Sequence, residues 1–444
     1  MQQREESKVS DVDSDIIQPS SAKQIRRVLL SSFAGSLIEW YDFYIFGVAS
    51  ALIFNKIFFP ALEPTVGVLA SFATLAAGFL ARPIGGIIWG HYGDKIGRKK
   101  MLVLSMLIMG VCTTLIGFLP TYATIGILAP VILVVLRTAQ GIAAGGEWGG
   151  AVLIAMEHQN KRRGLASSFP QMGLYGGILL STGVFTLVTM MPEDVLMSWG
   201  WRVPFIASAL LVFVGLLIRK GVDESPVFLK ALREAEKRDQ QKAPLIEVLR
   251  QPRNLILATS LTIGPFVISS IYSTFAAAYG AQIGFGRTEM STMVLVGSVV
   301  GFLFQPVFGA LSDYIGRKGI FIAGLLVQAG GVWYLFEGMN AHASGGVFIA
   351  TVIVNFGHSM CYSPTAAWIG ELFPTHLRYT GASLGYQLAG SLGGLTPLIC
   401  SALLVGAGGP PNTLSIVLFS ALANGIALVA ALVARETAKS ALVD

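Results

Sequence analysis

Twelve apolar stretches, each long enough to cross a lipid bilayer, divide the chain at 28–54, 66–90, 101–119, 124–156, 164–191, 201–219, 254–280, 289–311, 319–338, 345–370, 381–405 and 411–434. About 20 apolar residues suffice for one crossing. No other feature restricts the fold so severely. Without water at bilayer depth, a spanning segment must satisfy its own backbone groups, and a run of this length does so as a helix. Several runs exceed the minimum, which predicts tilt or extension past the hydrocarbon. The expected fold class is an all-α membrane protein with twelve transmembrane helices. Composition agrees: 13% of the 444 residues are charged, about half the share in soluble domains.

Basic residues set the orientation. With the N-terminus inside, the inside segments are the N-terminal tail, 91–100, 157–163, 219–253, 317–318, Arg378 and the residues after 434; they hold most of the 31 Lys and Arg residues. The outside loops hold Lys56 and Arg287, with Arg202 at an outer helix start. Short basic loops stay in the cytoplasm, so both termini are expected there. The net charge of +6 is dispersed over these loops and does not suggest a nucleic-acid partner. No short apolar run with a small-residue cleavage site precedes Val28, so no removable signal peptide is expected. Cys112, Cys361 and Cys400 lie in apolar runs, too scattered for a disulfide framework or a metal site.

The long basic segment 219–253 divides the chain in two. The expected domains are a cytoplasmic tail 1–27, a six-helix bundle 28–219, a cytoplasmic linker 220–253, a second bundle 254–434 and a tail 435–444. The halves repeat. Gly90-His-Tyr-Gly-Asp94-Lys-Ile-Gly-Arg98-Lys returns as Gly309-Ala-Leu-Ser-Asp313-Tyr-Ile-Gly-Arg317-Lys, each between the second and third spans of its half. Parallel six-span repeats suit a transporter that rocks two bundles around a central site.

Four charges lie deep in the first half: Glu39 and Asp42 in span 1, Arg82 in span 2 and Arg137 in span 4. Ionisable groups at this depth are costly and must face one another or a wet cavity. The i, i+3 spacing puts both acids on one helix face. Burial favours a neutral carboxyl and a nearby guanidinium favours the carboxylate. An acid held between these influences can load and release a proton, and Asp42 is placed ahead of Glu39 as the carrier. Arg82 and Arg137 suit a carboxylate substrate, which a guanidinium grips with two parallel hydrogen bonds. Glu147, in Gly145-Gly-Glu-Trp148-Gly-Gly150, is read as packing a helix end against the 91–100 loop. The second half offers neutral groups: Gln305, Asn355, His358, Tyr362, Tyr386 and Gln387. Aromatic residues around the acids, Trp40, Tyr41, Phe43 and Tyr44, could wall a cavity. His-Glu-x-x-His, Gly-x-Ser-x-Gly and Walker A patterns are missing, which argues against an enzyme or a direct ATP drive.

Glu39-Trp-Tyr-Asp-Phe43, Arg82-Pro-Ile-Gly-Gly with Gly90-His-Tyr-Gly-Asp94, Gln140-Gly-Ile-Ala-Ala-Gly-Gly-Glu-Trp-Gly-Gly150, Gly200-Trp-Arg-Val-Pro-Phe205 and Glu224-Ser-Pro-Val-Phe228 occur in this order. Together they resemble the metabolite:proton symporter family of the major facilitator superfamily, nearest its shikimate-like members. Glu371-Leu-Phe-Pro-Thr-His-Leu-Arg-Tyr-Thr-Gly-Ala-Ser383 fits as well. The resemblance implies two six-helix bundles in the bacterial cytoplasmic membrane. It implies import of a small organic acid with a proton by alternating access, the proton gradient being the only energy source and no cofactor or metal being needed. The partners are then the substrate, the proton and the lipid bilayer, with the chain acting as a monomer. A zwitterion carrier of the proline or betaine type, or an exporter, are the alternatives. It also implies a conformational lock at Asp94 and Arg98, repeated at Asp313 and Arg317, with Glu147 beside it. The substrate site is expected at Arg137, Arg82, Tyr41, Gln140, Trp148, His358, Tyr362, Tyr386 and Gln387.

Overall fold

A computed structural model describes residues 22–159, 162–220 and 244–440, and among these residues there is no strand. Most of the linker expected at 220–253, and residues 1–21 of the expected tail, lie outside the described residues. Twelve long helices carry the fold. The first bundle holds α1 (Ala22–Ala49), α2 (Pro64–Ile96), α3 (Arg98–Phe118), α4 (Leu128–Glu157), α5 (Arg163–Thr189) and α6 (Val203–Lys220). The second holds α7 (Pro252–Ser270), α8 (Arg287–Ile315), α9 (Arg317–Asn340), α10 (Ser344–Glu371), α11 (Arg378–Gly406) and α12 (Leu414–Val433). Among the described residues, eleven helices are apolar and long enough to cross a membrane. The exception is α1, whose apolar character is diluted by the residues that make it interesting.

The repeat seen in the motifs extends to the backbone. A π-helical turn continues α1 at Ser50–Phe54 and another continues α7 at Ile271–Phe275. The segment 91–100, expected as a loop, is helical on both sides of one break. Gly97 turns between α2 and α3 at φ 111°, ψ 139°, and Gly316 turns between α8 and α9 at φ 105°, ψ 158°. That region is open essentially to glycine alone, which is why both copies of the motif keep Gly before Arg. The first helix also starts six residues before the expected edge, at Ala22.

The largest apolar core runs through both bundles. Trp40, Phe43, Trp148 and Tyr175 from the first meet Phe266, Tyr272, Tyr362 and Tyr386 from the second. Leu69, Leu210, Leu303, Leu326 and Leu418 stay exposed on the perimeter, as expected of surfaces that face lipid rather than water.

The two ends of the molecule differ. At the end holding the Gly97 and Gly316 turns, the bundles interlock. Asp313 accepts hydrogen bonds from the backbone N–H of Gly164 and Leu165 at 2.8 and 2.9 Å, capping α5 from the opposite bundle. Toward the other end Tyr44 Oη still donates across the bundles to Ser273 Oγ at 3.3 Å. Beyond it, the hydrogen bonds and ion pairs among the described residues stay within one bundle: Lys56 with Glu193, Arg202 with the carbonyls of Gly117 and Leu119, Tyr279 with Asn340.

Candidate functional site

Glu39 and Asp42 are both buried in α1, yet their carboxylates meet different partners. Three residues advance a helix by about 300°, so side chains at i and i+3 diverge by roughly 60°. Glu39 turns to α2, where Arg82 Nη2 lies 3.0 Å from its Oε1. Asp42 turns to α3 and α6. Thr113 Oγ1 donates to Oδ2 and Ser208 Oγ donates to Oδ1, each at 2.7 Å. Among the described residues no ion pair joins Asp42 to Arg137. Arg137 Nη1 instead donates to Gln140 Oε1 at 2.6 Å, and Gln140 Nε2 donates to Thr113 Oγ1 at 2.6 Å.

Phe43 sits between the two cations. The guanidinium carbons of Arg82 and Arg137 each lie 3.9 Å from its ring centroid. Trp40 and Phe79 add further faces for Arg82, and Phe46 for Arg137. Such contacts stabilise a desolvated cation by about 2 kcal/mol or more, but leave its N–H groups free. Nε and Nη1 of Arg82 and Nε and Nη2 of Arg137 are buried without an acceptor. This is a cradle suited to an anion.

The second bundle contributes neutral groups, as its sequence suggests. His358 Nε2 faces the Pro265 carbonyl at 3.1 Å and Nδ1 faces the Tyr175 hydroxyl at 2.5 Å. A carbonyl only accepts, so Nε2 carries the hydrogen and Nδ1 accepts from Tyr175. Both contacts are satisfied by the uncharged ring. Tyr272 Oη, Asn355 Oδ1 and both side-chain heteroatoms of Gln305 are buried without a well-formed hydrogen bond.

Four residues expected to touch substrate also join the bundles. Trp148 stacks flat on Tyr386 with 3.6 Å between centroids, and its Nε1 donates to Gln171 Oε1 at 2.7 Å. Gln171 donates in turn to the Tyr362 carbonyl at 2.8 Å, and the hydroxyls of Tyr362 and Tyr386 meet at 2.5 Å. Gln387 Nε2 donates to the Gly145 carbonyl at 3.1 Å. These contacts form a floor between the buried charges and the interlocked end. Tyr41 departs from expectation. Its hydroxyl donates to the Pro204 carbonyl at 2.9 Å, and its ring packs with Phe46, Phe54 and Trp201 inside the first bundle, because it projects from α1 away from the cations.

Beyond the floor lie two matching ion clusters. Glu157, ending α4, pairs with Arg98 at 2.5 Å and with Arg378 of the opposite bundle at 3.1 Å. Glu371, ending α10, pairs with Arg317 at 3.2 Å and with Arg163 of the opposite bundle at 3.3 Å. Arg317 also holds Asp313 at 2.7 Å. The side chain of Asp94, expected as the partner of Arg98, lies outside the described residues. Sequence reasoning missed Glu157 and Glu371. Their signal was the duplicated acid at the end of the fourth span of each half, followed by an arginine at the start of the fifth. Among the described residues no hydrogen bond or ion pair ties Glu147 to the 91–100 segment, where it was expected. It pairs with Arg219 at the end of α6 and accepts from Ser105 at 3.3 Å.

The tail after α12 is docked. Glu436 accepts backbone N–H bonds from Arg317 and Lys318, each at 3.0 Å, and Arg163 Nη2 donates to the Ser440 carbonyl at 2.7 Å. Burial would push the Glu436 carboxyl up, but the four backbone N–H groups around it hold it below the usual carboxylate range.

A model of the Major Facilitator Superfamily matches residues 32–397 and, again, 266–443. The chain belongs to that superfamily. Within it, the chain is similar to the shikimate transporter of Escherichia coli K12, at 40% identity over 86% of this chain and 89% of the relative. It is equally similar, at 40% identity over 94% and 95%, to an inner membrane metabolite transport protein of the same organism, YhjE. Among solved structures, the proton:xylose symporter XylE bound to 6-bromo-6-deoxy-D-glucose superposes with a TM-score of 0.76 at 18% identity, covering 95% of this chain and 98% of that one. The likeness establishes the major facilitator fold. The protein is a multi-pass membrane transporter of the cytoplasmic membrane.

Proposed function

We propose that this transporter imports a small organic acid together with a proton. The observation that carries the reading is the asymmetry of the buried charges. Two arginines present unpaired N–H groups around Phe43, while Asp42 lies a few side chains away with neutral donors only. The arginines suit the substrate carboxylate. Asp42, with Glu39 beside it, suits the proton. Tyr272, Gln305 and Asn355 offer unsatisfied neutral groups for substrate hydroxyls. The first-named relative is a shikimate transporter, and a hydroxylated carboxylate of that kind matches both halves of the site.

The termini and both ion clusters face the cytoplasm in this reading, so the described state is closed inward. Substrate and proton enter from outside. The bundles then rock, and the Glu157 and Glu371 clusters with their arginines part. The substrate leaves, the proton passes to the more alkaline cytoplasm, and the empty carrier returns.

Uptake into proteoliposomes of the purified protein tests this. Shikimate comes first, then 2-oxoglutarate, citrate, proline and betaine, each with and without an acid-outside gradient. The expected result is accumulation of a hydroxylated acid that collapses with a protonophore. Accumulation indifferent to the gradient would remove the coupling, and uptake of betaine alone would remove the acid.

A further inference from the structure

We propose that Thr113 and Gln140 form a hydrogen-bond switch that reports the protonation of Asp42 to Arg137 and so makes anion capture depend on the proton. The inference rests on the proton-coupled reading above and deepens it.

Three links run from α4 through α3 to α1, all in one direction. Arg137 Nη1 donates to Gln140 Oε1 at 2.6 Å, Gln140 Nε2 donates to Thr113 Oγ1 at 2.6 Å, and Thr113 donates to Asp42 Oδ2 at 2.7 Å. Every side chain in the chain is buried. The direction is fixed by chemistry: a guanidinium only donates, an amide oxygen only accepts, and a carboxylate only accepts. The relay therefore starts on a positive charge and ends on a negative one. Linked hydrogen bonds of this kind polarise one another in a low-dielectric interior.

Thr113 has a second acceptor. The Met109 carbonyl lies 2.9 Å from the same hydroxyl. A hydroxyl holds one hydrogen, so Thr113 serves either Asp42 or Met109 at any moment. When Asp42 gains a proton on Oδ2, that oxygen becomes a donor. Thr113 then turns its O–H to Met109, and its oxygen accepts from Asp42 and from Gln140. One proton has been added, one hydroxyl has rotated, and no covalent bond has broken elsewhere. The relay from Arg137 now ends on a neutral carboxyl. Arg137, which already has two N–H groups without acceptors, is left in need of a counter-anion. A substrate carboxylate supplies it.

Other groups around Asp42 do not compete for this role. On α1, Glu39 is paired with Arg82 of α2, and Tyr41 gives its hydroxyl hydrogen to Pro204. On α6, Ser208 holds the other carboxylate oxygen. On α3, Cys112 is within electrostatic reach. Thr113 and Gln140 alone connect Asp42 to a cation through hydrogen bonds among the described residues. Thr113 and Gln140 are thus positioning residues.

The test uses the purified full-length protein with the proton itself as ligand. Infrared difference spectra between pH values follow the carbonyl stretch of a protonated carboxyl, and the band lost in Asp42→Asn identifies Asp42. Its midpoint is then read in a double-mutant cycle of Arg137→Gln with the relay intact or cut. With the relay intact, Arg137→Gln is expected to change the proton affinity of Asp42 by about tenfold or more, one pH unit. With Thr113→Val, or independently Gln140→Leu, the same change should fall below roughly threefold. Thr113→Ser should restore the full effect. Equal shifts with intact and cut relays would overturn the switch and leave Asp42 as the proton site. Loss of any Asp42-dependent band at every pH would overturn the proton site and the switch with it.

Discussion

The two bundles are built from one repeated plan, but their interiors are not alike. The first places Glu39, Asp42, Arg82 and Arg137 at bilayer depth. At the matching depth the second has His358, Asn355, Gln305 and Tyr272, all neutral in the contacts they make. The lesson is a division of labour. Charges in a low-dielectric interior are sensitive to protonation, because adding or removing one proton changes which interactions are satisfied. Neutral donors and acceptors recognise shape and hydroxyl placement with little dependence on pH. Meanwhile the interlocked end keeps its symmetry, with one helix-end glutamate bridging two arginines, one from each bundle, in each cluster. In the proposed reading, what the bundles share serves the motion, and what distinguishes them serves the cargo.

Three tests would break or sharpen this comparison. The largest effect is expected from Asp42→Asn, which should abolish gradient-driven accumulation in proteoliposomes while counterflow exchange persists. The matching change in the other bundle, His358→Gln, should leave accumulation gradient-dependent. If His358→Gln uncouples transport and Asp42→Asn does not, the assignment of proton handling to the first bundle is reversed.

Next comes Arg82→Leu, which strands Glu39 in the interior. Removing one partner of a buried ion pair costs about 3–5 kcal/mol, read as a lower melting temperature in detergent. Adding Glu39→Gln should recover most of that stability, because no unpaired charge remains. A single variant as stable as the parent would show that the pair is not the constraint its burial implies.

The smallest effect belongs to the second bundle. Tyr272→Phe removes one neutral hydrogen-bonding group. The apparent affinity for the transported acid should weaken by about 1–2 kcal/mol, roughly 5- to 30-fold, with no change in its pH profile. A shifted profile would mean that the second bundle also handles protons.

Much of this was legible in the chain. Hydrophobic run lengths gave twelve spans, and the duplicated Gly-Arg motif gave two bundles, because backbone satisfaction in lipid leaves few alternatives. The cost of burying charge singled out Glu39, Asp42, Arg82 and Arg137. The acids' partners were not legible. A shared helix face does not say which neighbour fills each sector, so the pairing of Glu39 with Arg82, and the turn of Asp42 toward Thr113 and Ser208, depended on how α1 is rotated against α2, α3 and α6. Tyr41 shows the same limit: one residue before Asp42, it points away from the cations.

The sequence by itself thus determined how many helices there are, that they come as two copies, and which side chains cannot be in lipid without a purpose. Those follow from local composition and from the solvent. Only the tertiary structure decided that Asp42 meets no cation directly among the described residues, that Phe43 separates two guanidinium groups, and that Glu157 and Glu371 fasten one bundle to the other. Such facts depend on distances of a few ångströms between residues far apart in the chain. A hydrogen bond fails within about an ångström of its best length, and no periodicity in a sequence carries that precision.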